Sequence, residues 1–296
     1  MRRLLLALGA LIVSAAAGAE PITVTDDAGR TIRLDSAAGS IVSLAPHATE
    51  LLYAVGAGEN IVGAVDHSDY PSAAKAIPRV GGYDAVDIER IVGMEPDLVV
   101  AWGSGNGGAA IERLKGLVPA VFVNEPRSLA DIARSLERLG TLTGNAAAGT
   151  KAAEALRKRR DNLRERYADR PTVPVFYEVW HDPLMTVSDE HLISEIVRLC
   201  GGRNVFADLS SRVPTVDTEA VLAAEPEAIV ASGMGSERPE WLNAWQDWKD
   251  LPAVQRNNLF HIPPSLTQRA TPRLLDGAER LCKQLETARE RRPEGP

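Results

Sequence analysis

Histidine is the side chain best suited to proton transfer and metal binding near neutral pH, and the chain has five. They are His47, His67, His181, His191 and His261. None of them forms a His-x-His pair, a His-Glu-x-x-His motif or a cluster with cysteine, so the spacing disfavours a zinc enzyme. No Gly-x-Ser-x-Gly turn and no evident pair of nucleophile and base occurs either. We therefore predict no catalytic residue, no resident metal and no cofactor.

One of these histidines stands where a ligand could meet it. Ala45-Pro46-His47 follows the short apolar run 41–44 and opens an amphipathic stretch, and Pro46 suits the first turn of a helix. The carboxyl ends of strands face the ligand crevice in an open α/β sheet. We expect Pro46 and His47 to line such a crevice.

Aromatic residues make up only 5% of the chain, so their positions are informative. Tyr83 follows two glycines in a loop, and Trp102 and Trp180 end two predicted strands. Bulky rings at such positions suit a flat or large apolar ligand. The alternative is that they close the cores from above. A separate stripe with i, i+4, i+7 spacing, which predicts the packed face of a helix, comprises Trp241, Trp245 and Trp248.

A glycine-rich loop suggests a second kind of chemistry. Gly103-Ser-Gly105-Asn-Gly107-Gly108 satisfies the Gly-x-Gly-x-x-Gly pattern of dinucleotide sites, and Glu125 follows about twenty residues later. The pattern is weak by itself, and it lies well inside its lobe rather than after the first strand. We prefer a flexible loop at the edge of a cleft. The alternative is an exported enzyme that depends on a nucleotide.

Short apolar runs of strand length alternate with amphipathic stretches, which predicts an α/β protein with largely parallel sheets. A short hairpin at 22–34 precedes the series, and the strongly helical stretches 128–143 and 146–168 interrupt it. An internal repeat supports two similar lobes, because 87–103 aligns without gaps on 217–233 with seven identities in seventeen positions. Two such lobes joined by one stiff helix would enclose a cleft, the usual place for a small ligand.

The first residues predict export. Arg2 and Arg3 precede an apolar run too short to span a membrane, and small residues lead to Ala19, as in a cleavable signal peptide. No cysteine near the cleavage point could carry a lipid, so we expect a soluble periplasmic protein rather than a lipoprotein. The predicted segments are the signal peptide (1–19), an N-terminal α/β lobe (20–145), a linking helix (146–170), a C-terminal α/β lobe (171–288) and a disordered tail (289–296).

The charge and the cysteines narrow the possible functions further. A formal net charge of −7 disfavours nucleic acid as a partner. The chain has two cysteines, Cys200 and Cys282, and export to an oxidising compartment makes their pairing the default expectation. The alternative is two buried free thiols. Neither stands in a Cys-x-x-Cys motif, so redox catalysis is disfavoured.

Several motifs together resemble the periplasmic cobalamin-binding proteins of ABC transporters, over residues 40–286. Some of them are shared with haem-binding and siderophore-binding relatives, but Ser-Asp-Tyr-Pro, the Ala-Trp strand end and the two cysteines favour cobalamin. The motifs are Ser43-Leu-Ala-Pro-His-Ala-Thr-Glu50-Leu, His67-Ser-Asp-Tyr-Pro71, Asp87-Ile-Glu89-Arg-Ile, Pro96-Asp-Leu-Val-Val-Ala-Trp102, Leu199-Cys-Gly-Gly-Arg-Asn-Val-Phe206 and Arg269-Ala-Thr-Pro-Arg273.

The resemblance implies a class III periplasmic binding protein fold, in which two Rossmann-like lobes are joined by one long rigid helix and the corrinoid lies in the cleft. It implies that Glu89 and Glu219, at equivalent positions of the repeat, dock onto arginines of the permease; ordinary helix solvation is the alternative. It also implies that Cys200 and Cys282 are disulfide-bonded. The ligand-binding residues expected on this basis are Pro46, His47, His67, Tyr83, Trp102, Trp180, Ser265, Leu266, Thr267, Gln268 and Arg269.

The expected function is capture of cobalamin, as a transported ligand, for delivery to the permease dimer of an inner-membrane ABC importer, with the binding protein acting as a monomer. The nearest alternative is the same role for haem or a ferric siderophore. The family's best-known form has a tyrosine at the position of His67, and an imidazole from His67 or His47 could coordinate the cobalt of a corrinoid or the iron of a haem.

Overall fold

The computed structural model describes residues 20–233, 235 and 237–293, which form the α/β protein that the sequence predicts. The predicted signal peptide, 1–19, lies outside the described residues. The strands are β1 (Ile22–Thr25), β2 (Thr31–Leu34), β3 (Ile41–Ser43), β4 (Ile61–Ala64), β5 (Leu98–Trp102), β6 (Val121–Asn124), β7 (Val173–Glu178), β8 (Gly202–Asn204), β9 (Ala228–Ala231) and β10 (Leu259–His261). The helices are α1 (Pro46–Ala54), α2 (Ile88–Gly93), α3 (Gly108–Lys115), α4 (Leu129–Leu142), α5 (Ala146–Tyr167), α6 (Leu192–Leu199), α7 (Thr218–Ala224), α8 (Pro252–Gln255) and α9 (Leu274–Glu290).

Two four-stranded parallel sheets organise these elements, one in each lobe. The first has the order β4-β3-β5-β6 and the second β8-β7-β9-β10. In the first sheet β3 pairs with both β4 and β5, and in the second sheet β7 pairs with both β8 and β9. Strand order therefore reverses direction beside the first strand, and in open α/β sheets ligands bind in the crevice at that point. Both lobes direct the carboxyl ends of their central strands to the cleft described below.

The internal repeat predicted from the sequence is present in three dimensions. Asp87 and Asp217 cap α2 and α7, where their carboxylates accept hydrogen bonds from the main-chain amides three residues later at 3.0 and 2.7 Å. Glu95 and Glu225 then adopt left-handed backbone conformations with φ of 47° and 45°. Each repeat continues into a buried strand, β5 or β9. In both lobes, therefore, an aspartate-capped helix and a left-handed glutamate lead into the buried strand.

The long helix α5 is fixed to both lobes. A Cβ added to Gly149 on α5 would lie 2.5 Å from the carbonyl oxygen of Leu136 on α4, so glycine permits the two helices to meet at backbone distance. Further along α5, Arg157 bonds Glu137 of α4 at 2.6 Å, and Arg159 bonds Asp276 of α9 at 2.7 Å. The helix therefore connects the first lobe to the second as a packed element.

The N-terminal hairpin of β1 and β2, which the sequence predicts, is tied to the first sheet. The amide of Asp27 donates to the carbonyl of Val123 at 3.0 Å, and its carboxylate accepts from the amide of Glu125 at 2.7 Å and from Arg138 at 2.6 Å. The hairpin thereby holds the end of β6, from which Glu125 projects toward the cleft.

The two cysteines form the expected disulfide. Cys200 follows α6 and Cys282 lies on α9, with Sγ atoms 2.05 Å apart, and both residues are fully buried. The bond joins two elements of the second lobe that are separated by 82 positions in the sequence. It therefore cross-links that lobe internally.

Two expectations are wrong, and two strands were not anticipated. The tail is not disordered from residue 289, because α9 continues to Glu290 and Arg292 bonds Glu227 at 2.8 Å; residues 294–296 lie outside the described part. The short edge strands β8 and β10 were not predicted, since three residues carry too little periodicity. The prediction that the three tryptophans share the packed face of one helix is wrong. Glu240–Asp247 is a 3-10 helix, on which residues i and i+4 do not share a face. Trp245 is buried and Trp248 is 43% exposed.

Within the described residues, the helices are all too short or too polar to cross a membrane.

Replacing both Cys200 and Cys282 by Ser should lower the free energy of unfolding by roughly 4.5 kcal/mol, because the disulfide closes a long loop in the unfolded chain. Chemical denaturation with and without a reducing agent measures the loss. The wild type should lose this stability on reduction, whereas the double variant should not respond. A loss below about 1 kcal/mol would contradict the entropic argument.

Candidate functional site

A cleft of about 950 Å³ lies between the two lobes. Its size is at the upper end of the range for ligand pockets. The segments that follow β3, β4, β5 and β6 form one wall. The loop after β7, the start of α6, residues 212–213 and residues 264–270 form the other. The lining residues that the sequence predicted are Pro46, His47, His67, Tyr83, Trp102, Trp180, Ser265, Thr267, Gln268 and Arg269.

Trp102 is the centre of an aromatic cluster on the first lobe. Its ring lies 5.4 Å from that of His47 in an edge-to-face arrangement, and 5.6 Å from the tilted ring of Tyr83. These are favourable separations for aromatic pairs. Tyr83 remains 41% exposed at the mouth of the cleft, whereas His47 is only 6% exposed. The cluster therefore grades from a buried floor to an open rim.

A buried asparagine that sequence reasoning missed positions this cluster. The side chain of Asn106 accepts from the amide of Trp102 at 2.5 Å and donates to the carbonyls of Leu44 and Tyr83 at 2.8 and 2.7 Å. A Cβ at Gly105 would lie 2.0 Å from the indole ring, so glycine lets the loop cover the tryptophan. The glycine-rich loop thus has a packing role against the aromatic wall.

The two histidines that sequence reasoning placed near the ligand differ in their surroundings. Burial lowers the pKa of His47 to about 4, and its Nε2 has no hydrogen-bond partner and no contact with solvent. His67 is exposed at the rim and has a left-handed backbone with φ of 62°. At neutral pH the floor of the cleft therefore carries an uncharged imidazole beside Trp102.

Trp180 faces the cleft from the second lobe on a short turn after β7. Its Nε1 donates to the carbonyl of Asp182 at 2.8 Å, and its carbonyl accepts from the amide of Met185 at 2.9 Å. Behind this turn the fully buried Glu178 accepts from Trp245 Nε1 at 2.8 Å and contacts His181 Nδ1 at 2.9 Å. Burial raises the pKa of Glu178. These bonds hold the turn, and with it the indole of Trp180.

Arg269 lies in the cleft, but carboxylates of the first lobe already engage it. It donates to Glu50 at 2.9 Å, to Asp69 at 2.7 Å and to the carbonyl of His67 at 3.1 Å. Burial alone would raise the pKa of Asp69, but the bond from Arg269 holds it below its usual value. Arg273 adds a second bond to Glu50 at 3.2 Å. These charges bridge the lobes on one side of the cleft.

The neighbouring segment 265–268 is only partly directed at the cleft. Ser265 lines it, Thr267 is buried and accepts from Tyr177 at 2.9 Å, and Gln268 donates to Ser232 at 2.8 Å. The expected place of Leu266 in the cleft is corrected, because this residue packs against the hydrophobic core and does not line the cleft.

The cleft is also lined by residues that sequence reasoning did not assign to the ligand. They are Asp69, Ser104, Glu125, His191 and Arg212 among the polar ones. Glu125 follows β6 as Trp102 ends β5, so the rule that strand ends face the crevice could have identified it. The sequence signals nothing comparable for Arg212, which reaches the cleft from an irregular loop.

Glu89 and Glu219, the predicted docking residues, are exposed in the first turns of α2 and α7. In the part of the chain that the structure describes, no group of three or more His, Cys, Asp or Glu residues is arranged to hold a metal ion.

Comparison with known proteins assigns the chain to a family. A family model for periplasmic binding proteins matches residues 41–266. The vitamin B12-binding protein of Vibrio cholerae serotype O1 is 36% identical over 248 residues, which are 84% of this chain and 89% of the relative. The vitamin B12-binding protein of Photorhabdus laumondii is 36% identical over 247 residues, or 83% of this chain and 87% of the relative.

Solved structures agree with this assignment. The crystal structure of the periplasmic vitamin B12-binding protein of Vibrio cholerae matches with a TM-score of 0.78 and 35% identity, covering 86% of this chain and 98% of that one. An apo periplasmic haem-binding protein of Roseiflexus sp. RS-1 matches with a TM-score of 0.73, 84% and 98% coverage and 21% identity, a likeness of fold alone. The predicted resemblance and class III fold are therefore confirmed, and the chain belongs to the periplasmic binding protein family.

Proposed function

We propose that this protein captures cobalamin in the cleft between its lobes and delivers it to an ABC importer of the inner membrane. The observation that carries the proposal is the cleft of about 950 Å³ with Trp102 and Trp180 on its opposite walls. Flat indole rings suit the broad face of a corrin ring. The relatives that are named vitamin B12-binding proteins, at 36% identity over most of the chain, support the same ligand.

The charges in the cleft favour cobalamin over haem. Among the described lining residues, both arginines already pair with carboxylates, Arg269 with Glu50 and Asp69, and Arg212 with Glu125. A haem would bring two carboxylates, and each of these arginines stands beside a carboxylate that would repel them. The peripheral groups of a corrin are mainly neutral amides, which need donors and acceptors rather than a net positive charge. Haem or a ferric siderophore is the second candidate, because relatives of the same fold bind haem.

The proposed contacts are those of the cleft. Trp102, Tyr83, Trp180 and Pro46 would cover the ring, and polar groups would meet its amides. His67 is the better placed of the two candidate axial ligands, because it is exposed at the rim, while the Nε2 of His47 has no contact with solvent. Coordination by His47 would require its ring to turn.

We assign a binding role rather than catalysis, and the cobalamin is cargo, not a cofactor. The proposed location is the periplasm, reached through the signal peptide at 1–19, with the protein acting as a monomer. The proposed partner is the permease dimer of the importer. Glu89 and Glu219 would contact it, because each offers an exposed carboxylate at the same place on its own lobe.

Calorimetric titration of the protein without residues 1–19 tests the ligand, with cyanocobalamin and haemin in parallel. We expect one-to-one binding of cyanocobalamin and no response to haemin. Binding of haemin alone, with a Soret band, would move the ligand class to haem within the same transport role.

Replacing Trp102 by Ala should weaken cyanocobalamin binding by at least about thirtyfold, since a large ring buried against the ligand is lost. Titration calorimetry measures the change, and circular dichroism checks that the variant is folded. Trp248→Ala is the matched control, because Trp248 is 43% exposed and does not line the cleft. The control should stay within about twofold of the wild type. Unchanged affinity in Trp102→Ala would remove Trp102 from the site.

Reversing both docking charges, Glu89→Lys with Glu219→Lys, should reduce cobalamin uptake by about tenfold while the affinity for the ligand stays the same, because arginines of a partner would then be repelled. Uptake by cells that express the variant is compared with titration of the purified protein. Glu165→Lys, on an exposed position of α5, is the control. Normal uptake by the double variant would overturn the docking assignment.

A further inference from the structure

One end of the cleft is polar and draws on both lobes. Ser104 and Glu125 belong to the first lobe, and His191 and Arg212 to the second, and all four line the cleft. This polar end is separate from the bridge that Arg269 forms with Glu50 and Asp69.

The carboxylate of Glu125 is held in a set orientation. One oxygen accepts from the amide of Ser104 at 2.8 Å, and the other accepts from its hydroxyl at 3.0 Å. A Cβ at Gly103 would lie 3.1 Å from the same carboxylate, so glycine leaves room for it. The side chain is only 13% exposed. Glu125 therefore presents an acceptor of fixed orientation at the wall of the cleft.

Arg212 stands opposite, and the pair that it forms with Glu125 is a long one. The guanidinium nitrogen lies 3.5 Å from the Glu125 oxygen, well beyond the roughly 2.8 Å of a good charge-assisted bond. The side chain of Arg212 is 32% exposed in the cleft, although its Nε is buried. Because the pair is long and both side chains line the cleft, a donor and an acceptor stand side by side where a ligand can meet them.

A primary carboxamide matches this arrangement. Its carbonyl oxygen would accept from Arg212, and its NH2 group would donate to Glu125, so each charged group gains a hydrogen bond. A carboxylate in the same place would have no proton to donate and would be repelled by Glu125. His191 adds a neutral donor nearby, because its Nδ1 accepts from the amide of Ile193 at 3.1 Å and leaves the proton on Nε2. Burial first, and the charge of Arg212 second, lower the pKa of His191 to about 4.

We propose that Glu125 and Arg212 form a carboxamide-recognition site that selects an amidated side chain of the ligand over its carboxylic acid. This inference rests on the proposed function and deepens it, because it names the chemical group that the cleft reads. The pair would reject a corrinoid hydrolysed at one amide while accepting the intact ligand.

The test compares cyanocobalamin with its three monocarboxylic acids, each hydrolysed at a different propionamide. Titration calorimetry gives the ratio of the dissociation constants of acid and parent for each isomer. In the wild type we expect one isomer to bind at least about tenfold more weakly than cyanocobalamin. In Glu125→Gln the ratio for that isomer should fall below about threefold, while the ratios of the other two stay unchanged.

A second variant and a control separate recognition from a merely structural tether between the lobes. Arg212→Gln keeps the negative charge of Glu125 and should increase the discrimination against the same acid. If the pair were only a tether between the lobes, both variants would change the ratio of dissociation constants in the same direction. Glu165→Gln removes an exposed carboxylate of α5 outside the cleft and should leave the discrimination at that isomer unchanged. Circular dichroism establishes that each variant is folded.

The outcomes are distinguishable. Wild-type ratios retained for all three isomers in Glu125→Gln would overturn the carboxamide site and leave cobalamin capture intact. Failure of the wild type to bind cyanocobalamin at all would overturn the proposed function, and the carboxamide site with it.

Discussion

The backbone contact between α4 and α5 is the constraint on which the cleft depends. Gly149 brings the two helices together at a distance that any larger residue would prevent, because its Cβ would meet the carbonyl of Leu136. From there α5 leads to the second lobe, where Arg159 bonds Asp276. The separation of the two sheets, and so the width of the cleft, follows from helix packing. Tightly packed interiors deform little, which makes a pre-formed site the natural consequence.

Paired charges complement this packing on the open side. Arg269 of the second lobe meets Glu50 and Asp69 of the first, and Arg212 stands opposite Glu125. Such pairs contribute modestly to stability when they are partly exposed. Their larger effect is on the electrostatics of the cleft, because they neutralise its cations. Together with an uncharged His47, they leave a site that offers rings and hydrogen bonds rather than net charge.

The two lobes are built alike but serve the ligand differently. The repeat places Trp102 at the end of β5 and the buried Ser232 immediately after β9, at the equivalent position. The first lobe therefore presents an aromatic floor, whereas in the second a small hydroxyl accepts from Gln268 and the indole comes from Trp180 on the turn after β7. Divergence at strand ends, with the helix caps unchanged, is what the geometry of a parallel sheet permits.

The sequence predicts most of the elements and their order, because hydrophobic period, helix caps and turn residues are local properties, but it does not reveal the three-residue edge strands β8 and β10. It identified the disulfide partners, the repeat and the strand-end residues His47 and Trp102, since the carboxyl end of a parallel strand has one place to point. Which lining groups already have a partner depends on contacts between distant parts of the chain. The sequence shows that Arg269 is charged, but not that it pairs with Glu50, some 220 positions away. That pairing forms because the two lobes lie against each other. The inward turn of Leu266 and the approach of Arg212 to Glu125 are likewise set by long-range packing, which no local pattern records.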